Sequence, residues 1–200
     1  RRLTLAEAGG GQLGVVGFAD MVGFTALSQQ VTRDELAAVV DQFERLTFDV
    51  ITAHGGRVVK MIGDEVMFSV DSPRAAAEIA LALVEGGRRD DQVSDLRVGL
   101  AYGPLIEREG DLYGPVVNLA SRITAIAFPG TVLVDAGLRE QLAGDARYVL
   151  RTMRPRYLKD IGRVGLWVLR RGGPPEDRFA ARRQALREAV SARVEPGRHR

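Results

Sequence analysis

The order in which apolar periodicity changes along the chain is the tightest constraint on its fold. Val15, Val16 and Phe18 make a short apolar run that reads as a buried strand. Leu36, Val39, Val40, Phe43, Leu46 and Val50 then recur at helical spacing. A capping box of Thr32 and Glu35 opens this helix, and Gly55-Gly56 closes it. Arg57 to Ile62 and Glu65 to Val70 return to strand patterning on either side of Gly63-Asp64. Ser72-Pro73 starts a second helix whose core face is Ala76, Ile79, Ala80 and Leu83, with a stop predicted at Gly86-Gly87. Leu96 to Tyr102 is the next strand. The resulting β-α-β-β-α-β order predicts an α+β fold with a ferredoxin-like split βαβ core.

Beyond this core, Gly103-Pro104 is predicted to turn the chain into a short ribbon that reaches Gly110-Asp111. A third helix is expected from Pro115 to Ala127, broken by Pro129-Gly130 and followed by a strand over Thr131 to Val134. A short helix and further strands, finishing near Leu169, form the C-terminal additions. Gly9, Gly10 and Gly11 read as a flexible lead-in, and Gly172, Gly173, Pro174 and Pro175 as a linker. From Glu176 the composition is helical but the apolar stripe of Phe179, Leu186 and Val190 is sparse, which reads as an exposed helix or a disordered tail. The expected division is a lead-in over 1–13, one folded domain over 14–170, and a linker with an arginine-rich tail over 171–200. Because the chain begins with Arg1, it is expected to be a piece of a longer protein with a regulatory segment outside it.

Composition excludes several chemistries. There is no cysteine, so disulfides, thiolate nucleophiles and cysteine zinc sites are ruled out. The two histidines, His54 and His199, are too few for a histidine-rich metal site. Twenty-eight basic residues against 26 acidic ones leave a net charge of +2, which does not argue for nucleic acid as a partner. The longest apolar candidate, Leu13 to Phe24, is interrupted by Asp20, so no membrane span is expected and the domain is assigned to the cytoplasm.

Three clusters carry chemistry. In Phe18-Ala19-Asp20-Met21-Val22-Gly23-Phe24-Thr25, an aspartate ends a buried strand, a costly place unless something pairs with it; a divalent cation is one such partner. Gly23, with Phe24 and Thr25 after it, lets backbone N–H groups approach an anion; the plain alternative is a structural turn. In Lys60-Met61-Ile62-Gly63-Asp64-Glu65, Asp64 sits at a hairpin tip, which aspartate also favours for its own hydrogen bonds. A ferredoxin-like pairing would bring Asp64 beside Asp20, and two such carboxylates can bind a pair of Mg2+ or Mn2+ ions. Lys60 reads equally as a solvated edge lysine. In Asp111-Leu112-Tyr113-Gly114-Pro115-Val116-Val117-Asn118-Leu119-Ala120-Ser121-Arg122, Asn118 and Arg122 share a helix face. They are either a solvated stripe or a donor pair aimed at phosphate.

Together FADMVGFT, VVKMIGDEVMF and DLYGPVVNLASR resemble the three signatures of the class III adenylyl and guanylyl cyclases, in that family's order. The resemblance runs from about Gly14 to Leu169. It implies a homodimer that converts ATP to 3′,5′-cyclic AMP and pyrophosphate with two metal ions per active site. On it, Asp20 and Asp64 match the metal-binding aspartates. Lys60 and Asp111 match the adenine-reading pair, and Asn118 and Arg122 match the residues that position the ribose and stabilise the transition state. Lys159 looks like the later phosphate-contacting lysine, although the family often has glycine where this chain has Asp160. The family's guanylyl cyclases carry glutamate and a small polar residue in place of the lysine and aspartate, so the pair favours ATP. A non-catalytic module of the same fold would be expected to lose one of these residues. A diguanylate cyclase is disfavoured because Gly63-Asp64-Glu65 continues into Val66.

Overall fold

The computed structural model describes residues 12–173. The glycine lead-in, the tail from Pro174 onward and His199 lie outside the described residues. The elements run β1 (Gln12–Met21), α1 (Phe24–Leu27), α2 (Arg33–Ala53), β2 (Arg57–Ile62), β3 (Glu65–Val70), α3 (Pro73–Arg89) and β4 (Leu96–Arg108). They continue with β5 (Asp111–Tyr113), α4 (Pro115–Ala125), β6 (Val132–Val134), α5 (Ala136–Gln141), β7 (Tyr148–Thr152), β8 (Arg156–Leu158), β9 (Gly162–Val164) and β10 (Trp167–Arg171). The architecture is α+β, built on a mostly antiparallel sheet of order β2-β3-β1-β4-β6-β10-β7. The one parallel pairing described is β4 with β6; β5 extends β4 as a ribbon, and β8 pairs with β9 as a separate hairpin.

Side chains alternate across a strand, and β1 uses that alternation to feed two cores. Val15, Ala19 and Met21 join the core under α2 and α3, with Phe43, Ile51, Ile79 and Leu83. Val16 and Phe18 join the core under α4, with Ala120, Ile123 and Leu158 of β8. Asp20 continues the even-numbered register, so it belongs to the α4 side. At Gly17 a Cβ would fall 2.2 Å from the Phe68 ring, so the strand accepts only glycine under that aromatic.

Local chemistry sets the element ends. The Thr32 hydroxyl accepts from the Glu35 N–H at 3.3 Å, and the Glu35 carboxylate accepts from the Thr32 N–H at 2.8 Å. This reciprocal box satisfies two otherwise orphaned donors of α2. His54 caps the other end, its Nδ1 2.8 Å from the Val50 carbonyl.

Three expectations are corrected. Helix α3 does not stop at Gly86-Gly87 but runs on to Arg89. Cβ atoms there would come 2.9 Å from Leu46 and Leu96, so the two glycines serve close packing, not termination. Strand β4 does not turn at Gly103-Pro104; it runs unbroken from Leu96 to Arg108, with Pro104 opposite Leu13 near the start of β1. Finally, α4 ends at Ala125, two residues before the expected Ala127, where the N–H groups of Ile126 and Ala127 bond back to Ile123 and Thr124.

Candidate active site

Strand β1 delivers Asp20 to the edge of the sheet's α4 side, where it is 8% exposed. Its register neighbours are Glu65 of β3 and Arg97 of β4. The Met21 N–H donates to the Asp64 carbonyl at 3.0 Å, which fastens the β2–β3 hairpin tip beside Asp20. Gly63 makes that tip possible with φ 64°, a conformation costly for residues with a Cβ. The sheet thus brings Asp20, Asp64 and Glu65 together.

Arg97 answers part of this negative charge. Its Nε donates to Asp20 Oδ2 at 2.6 Å, a second guanidinium nitrogen pairs with the same oxygen, and Nη1 reaches the Ala125 carbonyl at 3.4 Å. Burial nevertheless raises Asp20 above the ordinary aspartate range; Arg97 opposes the rise and Asp64 adds to it. Glu65 is pushed up to about 7, chiefly by burial and then by the Asp20 and Asp64 charges. With Glu65 partly protonated near neutral pH, Asp20 and Asp64 still outweigh the one Arg97 charge, an excess that suits a divalent cation. Among the described residues no three acidic or histidine side chains form a ready cage. Two carboxylates, with phosphate and water completing the shell, are the donor set that Mg2+ favours. Asp20 and Asp64 therefore fit a metal that arrives with a phosphorylated ligand.

After the aspartate the chain turns at Gly23, φ 78°, into α1, so that Phe24 and Thr25 open this short helix. Gly23 and Thr25 are exposed and Phe24 is half-buried.

Lys60 and Asp111 are brought together from opposite ends of the sequence core. Between Val58 and Lys60 the β2–β3 register shifts, and Lys60 then pairs with Met67, a member of the α4-side core. Lys60 Nζ donates to Asp111 Oδ1 and Oδ2 at 2.9 and 2.7 Å. The lysine and its own hydrogen bonds hold Asp111 below the usual carboxylate range. Lys60 stands on the edge strand β2 and is exposed, so it is an edge lysine as well as one whose ammonium sits beside a carboxylate.

Asn118 and Arg122 are exposed on α4, one turn apart. Arg122 Nη2 lies 3.7 Å from Asp160 Oδ2 in the β8–β9 turn. Lys159 is exposed in that same turn. A groove of about 620 Å3 runs between α4, the middle of β4 and this turn, lined in part by Asn118, Gly103, Asp160 and Ile161. Of the residues singled out in the sequence, Asp20 pairs with Arg97, Lys60 with Asp111, and Arg122 with Asp160, while Asp64 sits at the hairpin tip fastened beside Asp20.

Arg97 and Glu65 escaped the sequence reading. Arg97 stands as a single charge between Leu96 and Val98, and Glu65 follows Asp64 at the head of a strand; that is the available signal. Only the register of β1 between β3 and β4 shows that they face Asp20.

The chain is an α+β domain with paired acidic residues at a sheet end and an arginine, Arg122, on a flanking helix. Residues 11–170 match the family described as adenylate and guanylate cyclase catalytic domain. The chain belongs to that family. It is 40% identical over 182 residues to an adenylate cyclase of Streptomyces coelicolor, covering 78% of this chain and 48% of that protein. It is 41% identical over 157 residues to one of Glutamicibacter nicotianae, covering 78% and 39% respectively. The chain therefore spans half or less of these curated relatives. Among solved structures, the guanylate cyclase domain of a Catenaria anguillulae protein, in complex with GTP, superposes with a TM-score of 0.74 at 18% identity, covering 83% of this chain and 100% of that one. Adenylate cyclases from Trypanosoma brucei, in their monomeric state, give 0.74 at 22% identity, covering 82% and 92%. At such identities the structural likeness speaks for the fold alone.

Proposed function

We propose that this chain is the catalytic domain of an adenylate cyclase that converts ATP to 3′,5′-cyclic AMP and pyrophosphate at a site shared by two copies. Its β2-β3-β1-β4 portion is read as a ferredoxin-like split βαβ core, the catalytic domain as residues 14–170, and its location as cytoplasmic. No described helix is long and apolar enough to cross a membrane.

The observation that carries the choice of ATP is the Lys60–Asp111 pair. Adenine presents an acceptor at N1 and a donor at N6, which complement an ammonium and a carboxylate side by side. Guanine presents the reverse, a donor at N1 and an acceptor at O6. A mismatched base would leave both side chains unpaired, and such losses discriminate strongly.

In the reaction the ribose 3′-hydroxyl gives its proton to solvent water, its oxygen attacks the α-phosphorus, the O3′–Pα bond forms, the bond from Pα to the bridging oxygen breaks, and pyrophosphate leaves. Asn118 holds the ribose in line, and Arg122 meets the charge that grows on the α-phosphate. Lys159 and the backbone N–H groups after Gly23 contact the departing phosphates. Asp20 and Asp64 would hold two ions of Mg2+ or Mn2+ per site, which would supply acidification of the 3′-hydroxyl and neutralisation of the polyphosphate. Arg97 balances the Asp20 charge before such ions arrive. A regulatory segment outside the given sequence is part of this reading; the curated relatives extend well beyond the stretch they share with the chain.

The test is product identification. The protein is incubated with equimolar ATP and GTP and Mn2+, and nucleotides are separated by chromatography. Cyclic AMP should predominate, and replacing Lys60 and Asp111 together should lower kcat/KM for ATP and erode that preference. Formation of no cyclic nucleotide refutes the cyclase reading, and equal use of ATP and GTP refutes the base assignment.

A further inference from the structure

We propose that Asp160 is a built-in competitor for the substrate phosphate: its carboxylate holds Arg122 in the nucleotide-free protein and yields when a nucleotide engages. The inference rests on the reading of Arg122 as the residue that meets the α-phosphate.

Asp160 occupies the β8–β9 turn directly after Lys159. The Ile161 N–H closes the turn on the Leu158 carbonyl at 3.2 Å. Asp160 itself has φ 65°, in the left-handed region that favours glycine. A side chain at this position is therefore an addition that the turn does not need. It projects a carboxylate to 3.7 Å from the Arg122 guanidinium, and it lines the same groove as Asn118.

A carboxylate and a phosphate oxygen are alternative anionic acceptors for one guanidinium. The same carboxylate also stands beside Lys159, so it repels an approaching polyphosphate where two cations would otherwise attract it. The pair is open to solvent, with side chains 47% and 72% exposed for Arg122 and Asp160. Water screens it, so it holds Arg122 weakly and can be exchanged for a better anion. The consequence falls on affinity for the nucleotide, because Asp160 gives way before the transition state is reached.

Two variants separate charge from backbone. Asp160→Asn keeps a residue that tolerates positive φ and removes the charge. Asp160→Gly removes the side chain altogether and suits the turn. Each is made in the full chain, alone and combined with Arg122→Ala. The readouts are kcat and KM for ATP, and binding by calorimetry of magnesium 3′-deoxy-ATP, which carries the α-phosphate and lacks the attacking hydroxyl. Both single variants should lower KM and bind 3′-deoxy-ATP about fivefold more tightly, with kcat changed less than about twofold, the scale of one exposed ion pair. The gain in 3′-deoxy-ATP binding should vanish in the Arg122→Ala background. Unchanged or weaker binding, an equal gain without Arg122, or no 3′-deoxy-ATP binding by any form would each overturn the proposal. Failure of the unmutated protein to cyclise ATP would sink the cyclase reading instead, and the 3′-deoxy-ATP measurements would still decide the role of Asp160.

Discussion

Ionising Asp20 is harder than ionising an ordinary aspartate, because burial removes water from it and Asp64 adds repulsion. Arg97 offsets this only partly. A divalent ion would offset it further, which ties the cost of the residue to the proposed chemistry. Asp20→Asn and Asp64→Asn keep the side-chain shape and remove the charge. Each should reduce cyclic AMP formation by about two orders of magnitude or more while circular dichroism stays unchanged. Full turnover in either variant, or in excess chelator, would contradict the metal reading. Arg122 and Asn118 call for a different signature. Their contacts strengthen as charge develops, so alanine at either position should lower kcat far more than it raises KM. A loss of about 3 kcal/mol, roughly a hundredfold in kcat, is the scale of one oriented donor. A change confined to KM would make that residue a ground-state binder.

At the scale of elements, α4 is the part that must sit correctly, and Gly99 of β4 is what lets it. A Cβ at Gly99 would lie 2.4 Å from the backbone nitrogen and Oγ1 of Thr124. Thr124 in turn donates to the Phe18 and Ala120 carbonyls at 3.3 and 2.9 Å, which holds the helix to the strand that carries Asp20. Gly99→Ala should therefore destabilise the protein by about 3 kcal/mol and also depress kcat, since α4 carries Asn118 and Arg122. Thr32→Ala is the matched control: loss of the α2 cap should cost about 1 kcal/mol with kcat unaffected. Urea titration and steady-state kinetics on both variants check this, and equal effects on kcat would contradict it. Periodicity made the helices and hairpin legible, because apolar spacing and the Thr32 cap are local signals. The glycines misled at Gly86-Gly87 and Gly103-Pro104. Their role there is close packing or strand continuation, which depends on Leu46, Leu96, Val116 and Leu13 from distant parts of the chain. The Arg97 and Asp160 contacts were hidden for the same reason: register and loop placement are long-range facts.

At the scale of the whole molecule, the proposed reaction needs groups from separate places to act on one phosphorus atom. Within one chain Asp20 answers to Arg97, Lys60 to Asp111, and Arg122 to Asp160. Ile62 on the β2–β3 hairpin and Ile106 and Tyr113 on the β4–β5 ribbon are 48%, 52% and 52% exposed, and burial against a second copy would remove that apolar surface from water. A two-fold arrangement would then offer the aspartates of one copy to the Asn118 and Arg122 of the other, twice over. Mixing two inactive proteins tests this most directly. Asp20→Asn and Asn118→Ala are purified separately, combined to allow subunit exchange, and assayed for cyclic AMP. A mixed dimer gathers both lesions into one site and leaves the other intact, so random pairing should restore about a quarter of the unmutated activity, rising with protein concentration. No recovery, with exchange demonstrated by an independent label, would contradict the shared site.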